Sequence, residues 1–371
     1  MPPIPAALPT ADAALALIKP KVRAQVAYTL QAPEARRKLN QNESPFDVPA
    51  SVKDAVLARM RAEPWNRYPS FTPTDLIARL AEDHGWTADG ILVGNGSNEV
   101  IQATLAVTVG EGTAVVAPVP TFTLYRLLTE VYGGRFIGVP LGRNFEFDVD
   151  ALIRTAGAAS ARVIVVNAPN NPTGTSLPDG AVERLLAETE ALIVVDEAYQ
   201  AFGGPTAVPL LAEHPRVVVF RTFSKAMSLA GLRFGYALAH PAVAREMAKA
   251  KLPYNVNRVT LAAAQVVLDA ADVFDQFVAR VRDARDRLFR GLGAIPGLRA
   301  FPSTANFVLI RCEARPAAEV FRRLVEEHGI LVRDVSGAAG LEGCLRITAG
   351  TTEDVDAVLG ALRSIMGKDG R

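Results

Sequence analysis

The chain has 371 residues, enough for one large core with a smaller unit beside it, and its 49% hydrophobic and 21% charged content excludes wholesale disorder. With 40 Lys and Arg against 39 Asp and Glu the charge is nearly balanced, which excludes the broad basic face that nucleic acid or an anionic membrane would need. The two cysteines, Cys312 and Cys344, lack CxxC spacing, so neither a disulfide framework nor a structural zinc site is expected, and reduced thiols point to the cytoplasm.

The opening stretch, MPPIPAALPTADAALALIKP, has no positive charge before Lys19 and carries prolines at 2, 3, 5 and 9; it is unlike a secretory signal and reads as a mobile arm. From about residue 51 the pattern becomes periodic. Ser51 and Asp54 have capping-box spacing, and Val52, Val56, Leu57 and Met60 share a helical face. The PWNRYPSFTP stretch from Pro64 to Pro73 cannot continue that helix, because its prolines lack N–H donors and restrict their neighbours. An exposed connection is expected there, followed by a second helix over Asp75 to His84. Between residue 91 and about 240 the runs ILVGNG, TAVVAPVP, RFIGVP, RVIVVNAP, ALIVVDEAY and RVVVFRTFSK alternate with helical stretches. That alternation predicts an α/β fold with a mostly parallel central sheet buried between helices. None of these runs approaches the roughly 20 apolar residues that cross a bilayer. Beyond about 260 the pattern is helical and closes with strands at ANFVLIRC and CLRITAG and a terminal helix, a second α+β unit. The expected division is 1–50 as an arm and part of the smaller unit, 51–260 as the large ligand-binding unit, and 261–371 as the small unit.

Strand ends that run into polar residues are where open α/β sheets place their ligands. In FSKAMSLAGLRFGY, residues 223–236, Lys225 follows a VVVF strand, where partial burial can lower its pKa and make the amine a nucleophile. Thr222, Ser224 and Arg233 offer two hydroxyls and a guanidinium at close spacing, a grip for a phosphate dianion, and Gly231 and Gly235 permit close backbone approach. In VVDEAY, Asp196 ends an apolar strand with Tyr199 three residues later; the carboxylate suits a helix cap, or it can keep a ring nitrogen protonated while Tyr199 bonds a ring oxygen. NAPNNPTG, residues 167–174, suits a plain turn, or a loop in which Asn171 donates to the same oxygen. In GNGSNE, residues 94–99, the amides of Ser97 and Asn98 can hold a phosphate at a helix start, although no Gly-Lys-Ser/Thr follows as in a nucleotide-binding loop.

In their order and spacing these segments resemble the fold-type I family of pyridoxal-phosphate enzymes, from LNQNESPF at 39–46 to LRITAG at 345–350. The matching positions are the Gly-Ser turn with Ser97 and Asn98, Phe122 as ring stacker, Asn171, Asp196 with Tyr199, Lys225, Arg233 eight residues later, and a late arginine, Arg346. Within that family NRYPSF, GNGSNEVI, DEAYQAF, RTFSKAMSLAGLRFGY and KLPYNVN are similar to the histidinol-phosphate aminotransferases. The resemblance implies a pyridoxal 5'-phosphate cofactor attached through Lys225, and ping-pong transamination of L-histidinol phosphate with 2-oxoglutarate, giving imidazole acetol phosphate and glutamate. It further implies a homodimer in which Tyr68 reaches the cofactor phosphate of the partner subunit. Arg333 and Arg346 would grip the anionic end of the substrate, with Asn42, Tyr254 and Asn255 nearby. The chain departs from the pattern at Phe122, where many relatives carry Tyr, and between Lys19 and Leu39. An aromatic amino acid aminotransferase would use the same catalytic residues, and a threonine-phosphate decarboxylase would differ in the bond it cleaves.

Overall fold

The computed structural model describes residues 10–26 and 33–367. The mobile arm expected at the amino terminus lies partly outside these residues, and the part inside them is docked rather than free. Two short helices, α1 (Asp12–Leu15) and α2 (Pro20–Arg23), bring Lys19 and Lys21 to the carbonyls of Val131 and Gly133, at 3.2 and 3.0 Å. These carbonyls lie at and just past the end of the helix over Leu124–Val131, where the negative pole of the helix favours a lysine ammonium.

After β1 (Arg37–Lys38) come α3 (Ala50–Ala62) and α4 (Thr74–Asp83). The capping box expected at Ser51 is not formed. Pro49, at φ −56°, leads into α3 without any side-chain cap, and Ser51 lies inside the first turn. Val52, Val56 and Met60, four residues apart, are buried along one stripe, whereas Leu57, a further 100° round the helix, is 55% exposed.

The large sheet comprises β2 (Ile91–Asn95), β3 (Ala114–Val119), β4 (Arg135–Pro140), β5 (Val163–Asn167), β6 (Leu192–Asp196), β7 (Val217–Thr222) and β8 (Phe234–Ala239). Its spatial order is β2, β8, β7, β6, β5, β3, β4, and all neighbours are parallel except for the two pairs that β8 makes. Around it lie α5 (Ser97–Thr108), α6 (Leu124–Val131), α7 (Val149–Ala159), α8 (Ala181–Glu188), α9 (Pro241–Ala248) and α10 (Arg258–Asp269). Alternate residues of each strand enter opposite apolar layers: Val116, Ile164 and Val219 on one side, Val115, Val165 and Val218 on the other. Burial on both faces is why the runs are unbroken rather than alternating. β8 is not among the expected strands, because FGYALA holds no β-branched residue to mark it.

A break at Ala270 separates α10 from α11 (Ala271–Gly293), which the sequence presents as one helical stretch. There follow β9 (Leu298–Ala300), β10 (Phe307–Cys312), α12 (Ala317–His328), β11 (Ile330–Leu331), β12 (Arg333–Asp334), β13 (Cys344–Thr348) and α13 (Thr352–Gly367). β12, β13, β10 and β9 form an antiparallel sheet whose core includes Val308, Ile310, Leu324, Ile347 and Leu362, while β11 pairs in parallel with β1, joining Arg37 to Ile330. Among the described residues no helix is long and apolar enough to cross a membrane.

Candidate active site

The parallel strands all end at one edge of the large sheet, and β8, which runs the other way, begins there: Asn95 faces Phe234, and Thr222 faces Gly235. Arg233, immediately before β8, is thereby delivered to the same edge as Lys225. Its guanidinium donates to Ser224 Oγ at 3.2 Å and to the carbonyl of Ala230 at 3.1 Å. Gly96 precedes α5 at φ +76°, and a Cβ there would run into the Arg233 guanidinium; one on Gly235 would strike the backbone nitrogen of Ser97. Both glycines therefore keep a concave turn open between the first amides of α5 and Arg233. Ser97 is half-buried in this turn and Asn98 is exposed beside it. Thr222 Oγ1 accepts from the Ser224 amide at 3.1 Å and donates to the carbonyl of Phe234 at 3.3 Å. The Ser97 and Asn98 amides at the start of α5, the hydroxyls and the guanidinium form a set suited to a phosphate dianion.

Lys225 extends from this turn and donates to the carbonyl of Gln41 at 2.9 Å, with Nζ 5.9 Å from the centre of the Tyr199 ring. Burial, and after it the positive charge of Arg346, push its ammonium down to about 7; Glu43 acts in the opposite sense and Arg233 adds to the fall. A lysine in this state is substantially a free amine near neutral pH.

Asp196 closes β6 at 3% exposure. Its Oδ2 accepts from the hydroxyl of Tyr125 at 2.6 Å and its Oδ1 from the Ala198 amide at 3.1 Å. Burial raises its pKa despite these two bonds, so a cation or a protonated ring nitrogen placed against it would relieve the desolvation. Phe122 packs edge-on against Tyr125, 5.7 Å between centroids, and is itself half-buried. Asn167, at the end of β5, accepts the Asn171 amide at 2.9 Å and donates to the Asp196 carbonyl at 2.9 Å, so it fixes the loop that carries Asn171.

Three contributors come from β12, β13 and the segment after β1. Arg346 on β13 donates to Asn171 Oδ1 and, at 2.6 Å, to the carbonyl of Asn40. Arg333 on β12 is its cross-strand neighbour and is half-buried. Asn42 is buried, its amide bonded to Tyr199 and Thr348, so it stands behind Tyr199 rather than open to a substrate. Asn255 donates to Glu99 in the first turn of α5 at 2.7 Å, next to the Ser97 turn. Tyr68 and Tyr254 form a pair of their own at the surface, stacked at 4.5 Å and 16°. Tyr125, Asn167 and Thr348 are the site residues that sequence reading does not single out. Burial pushes the Cys312 thiol up to about 12 and raises that of Cys344, so both are inert near neutral pH.

A family model described as aminotransferase class I and II matches residues 37–362. The chain belongs to the class I and II aminotransferases. Histidinol-phosphate aminotransferase of Chlorobium phaeovibrioides is 38% identical over 352 residues, covering 94% of this chain and 97% of its own. The enzyme of the same name from Chlorobium luteolum is 40% identical over 347 residues, 93% of this chain and 96% of its own. Among solved structures, histidinol-phosphate aminotransferase of Sinorhizobium meliloti in complex with pyridoxal-5'-phosphate superposes with a TM-score of 0.85 at 26% identity, over 95% of this chain and 98% of that one. L-threonine-O-3-phosphate decarboxylase of Porphyromonas gingivalis shares the fold, with a TM-score of 0.78 at 22% identity, over 90% and 100% of the two chains. In aminotransferase terms, one edge of this chain carries a phosphate turn, a buried carboxylate, a stacking ring and a low-pKa lysine, the complement of a flat, phosphorylated, basic aromatic aldehyde.

Proposed function

We propose that this aminotransferase uses pyridoxal 5'-phosphate, held through Lys225, to transfer the amino group of L-histidinol phosphate to 2-oxoglutarate. The observation that carries the substrate is the identity of 38% and 40%, over more than nine-tenths of the chain, to histidinol-phosphate aminotransferases. When bound, the cofactor supplies an electron-withdrawing ring that stabilises negative charge on the substrate carbon bearing the amine. Asp196, desolvated and fixed by Tyr125, holds the ring nitrogen protonated. Arg233, Ser224, Thr222 and the Ser97–Asn98 turn bind the phosphate, Phe122 covers the ring, and Asn171 and Tyr199 bond its oxygen. Lys225, a free amine in good part near neutral pH, takes the proton from the substrate carbon. Arg346 and Arg333, side by side on neighbouring strands, bind the anionic end of either substrate, since a guanidinium accepts carboxylate and phosphate alike. Tyr254 and Asn255 complete the rim.

The working protein is proposed to be a cytoplasmic homodimer whose Tyr68 serves the phosphate site of the partner, with 51–260 as the large unit, 261–371 as the small unit and 1–50 shared between an arm and the small unit. In support, Trp65, Tyr68, Phe71 and Leu252 are exposed large apolar residues on two loops that meet where Tyr68 stacks on Tyr254. The test is kcat/KM for histidinol phosphate, phenylalanine and threonine phosphate with 2-oxoglutarate as acceptor. Histidinol phosphate is expected to lead. A lead for phenylalanine rejects the substrate and spares the mechanism, while carbon dioxide release from threonine phosphate rejects transamination.

A further inference from the structure

Asn42 lies behind Tyr199 in a cluster that excludes water: Asn42, Thr348, Asn306 and Tyr199 are each at most 5% exposed. The backbone of Asn42 adopts φ +55°, a left-handed conformation that Asn tolerates, and is clamped at both its polar groups. Its N–H donates to Thr348 Oγ1 at 3.0 Å, and its carbonyl accepts from Asn306 Nδ2 at 3.0 Å. The Thr348 hydroxyl, having accepted that N–H, gives its own hydrogen to Asn42 Oδ1 at 3.1 Å. The carboxamide is thus oriented with its NH2 toward Tyr199, where Nδ2 donates to the phenol oxygen at 3.0 Å. A phenol oxygen that accepts from Asn42 has its own hydrogen turned away from Asn42.

We infer that Asn42, oriented by Thr348, is a positioning residue that sets Tyr199 as a hydrogen-bond donor into the site. With pyridoxal phosphate placed as proposed, the recipient is the ring oxygen. The relay runs from β13 through a residue 306 positions away in sequence, so the small unit determines which way a hydroxyl of the large unit points. Asn42 touches neither substrate nor cofactor in this arrangement.

The discriminating change is Asn42→Asp. It keeps the size and the acceptor toward Thr348 but replaces the donor facing Tyr199 by an acceptor, which draws the phenol hydrogen back from the ring oxygen. The readout is the pH of the absorbance change that follows loss of the proton at the ring oxygen in the holoenzyme, together with the Kd of the cofactor-free protein for pyridoxal phosphate. Tyr199→Phe removes the donor outright and is expected to raise the transition by about one pH unit, a tenfold change in proton affinity. Asn42→Asp is expected to raise it as far in the native background, and Asn42→Ala, which adds no charge, by a smaller amount. In a Tyr199→Phe background Asn42→Asp is expected to add little, because the group it acts through is gone. Equal shifts from Asn42→Asp with and without the Tyr199 hydroxyl would show a bare charge effect and overturn the relay, as would unchanged transitions in both Asn42 variants while Tyr199→Phe shifts. An unmoved transition in Tyr199→Phe itself removes the placement of Tyr199 against the ring, and the relay with it.

Discussion

Lys225 and Asp196 titrate abnormally for one shared reason, removal from water, but with opposite signs. Desolvation penalises the charged form, so the ammonium is pushed down to about 7 while the carboxyl is raised. The sign has a measurable outcome. Between about 7 and the ordinary 10.5 the folded chain has shed the Lys225 proton that the unfolded chain keeps, so this residue makes the cofactor-free protein more stable as pH rises across that window. By the same token, the rate at which cofactor-free protein takes up pyridoxal phosphate is expected to climb to about pH 7 and then level. A rate still climbing at pH 10 would mean an unperturbed lysine. Lys225→Ala is expected to abolish both turnover and the absorbance of the lysine-linked cofactor while leaving the far-ultraviolet circular dichroism unchanged; turnover like that of the parent protein would remove Lys225 from the chemistry. Lys225, Asp196 and Arg233 were legible because each sits in a dense local motif at a strand end. Tyr125 was not, since a tyrosine on an amphipathic helix looks like any core aromatic until its hydroxyl is seen 2.6 Å from Asp196.

The element that decides the shape of the site is β8. Its antiparallel course starts it at the edge where the other strands finish, which places Arg233 against Ser224 and leaves Gly235 facing the Ser97 amide without room for a side chain. Gly235→Ala is expected to destabilise the fold by about 1–3 kcal/mol, because the obstacle is backbone and cannot swing aside. It should weaken binding of the cofactor phosphate as well; denaturant titration and the Kd for pyridoxal phosphate would check the two effects separately, and normal values of both would show that the turn is slack. The six strands of the large sheet that could be read from sequence are those with β-branched runs such as VIVV and LIVV, which a doubly covered sheet explains. β8 lacks that signature, β11 and β12 are two residues each, and Leu57 was assigned to a buried face one residue wider than the real stripe. What fixes such an element is its partner, and for β11 that partner is β1, where Ile330 pairs with Arg37 almost the whole chain away.

At the scale of the molecule, the exposed aromatic loops and the proposed exchange of Tyr68 between subunits can be tested together. Tyr68→Ala and Lys225→Ala proteins, each inactive or nearly so, are mixed after reversible dissociation. If Tyr68 serves the partner, random pairing restores about one quarter of the sites, those combining Lys225 of one chain with Tyr68 of the other. No recovery would mean that Tyr68 acts within its own chain. The α/β class and a second sheet were legible from the change in periodicity near residue 260, but the seam was not, because the residues that pack across it, such as Tyr199 on Phe307 and Phe145 on Phe301, lie more than a hundred positions apart in the chain. That seam has a consequence for how the protein is made. Asn42 leaves the ribosome 306 residues before Thr348, and β1 waits for β11 in the same way. The large sheet has all its strands by Ala239, yet Asn42, Arg346 and the carbonyl of Asn40 cannot come together until some 300 further residues have followed the first of them. A growing chain therefore displays Lys225 well before Arg333 and Arg346, the residues proposed to hold the anionic end of the substrate, have been made, so the proposed selectivity of the site arises later in synthesis than its reactive amine.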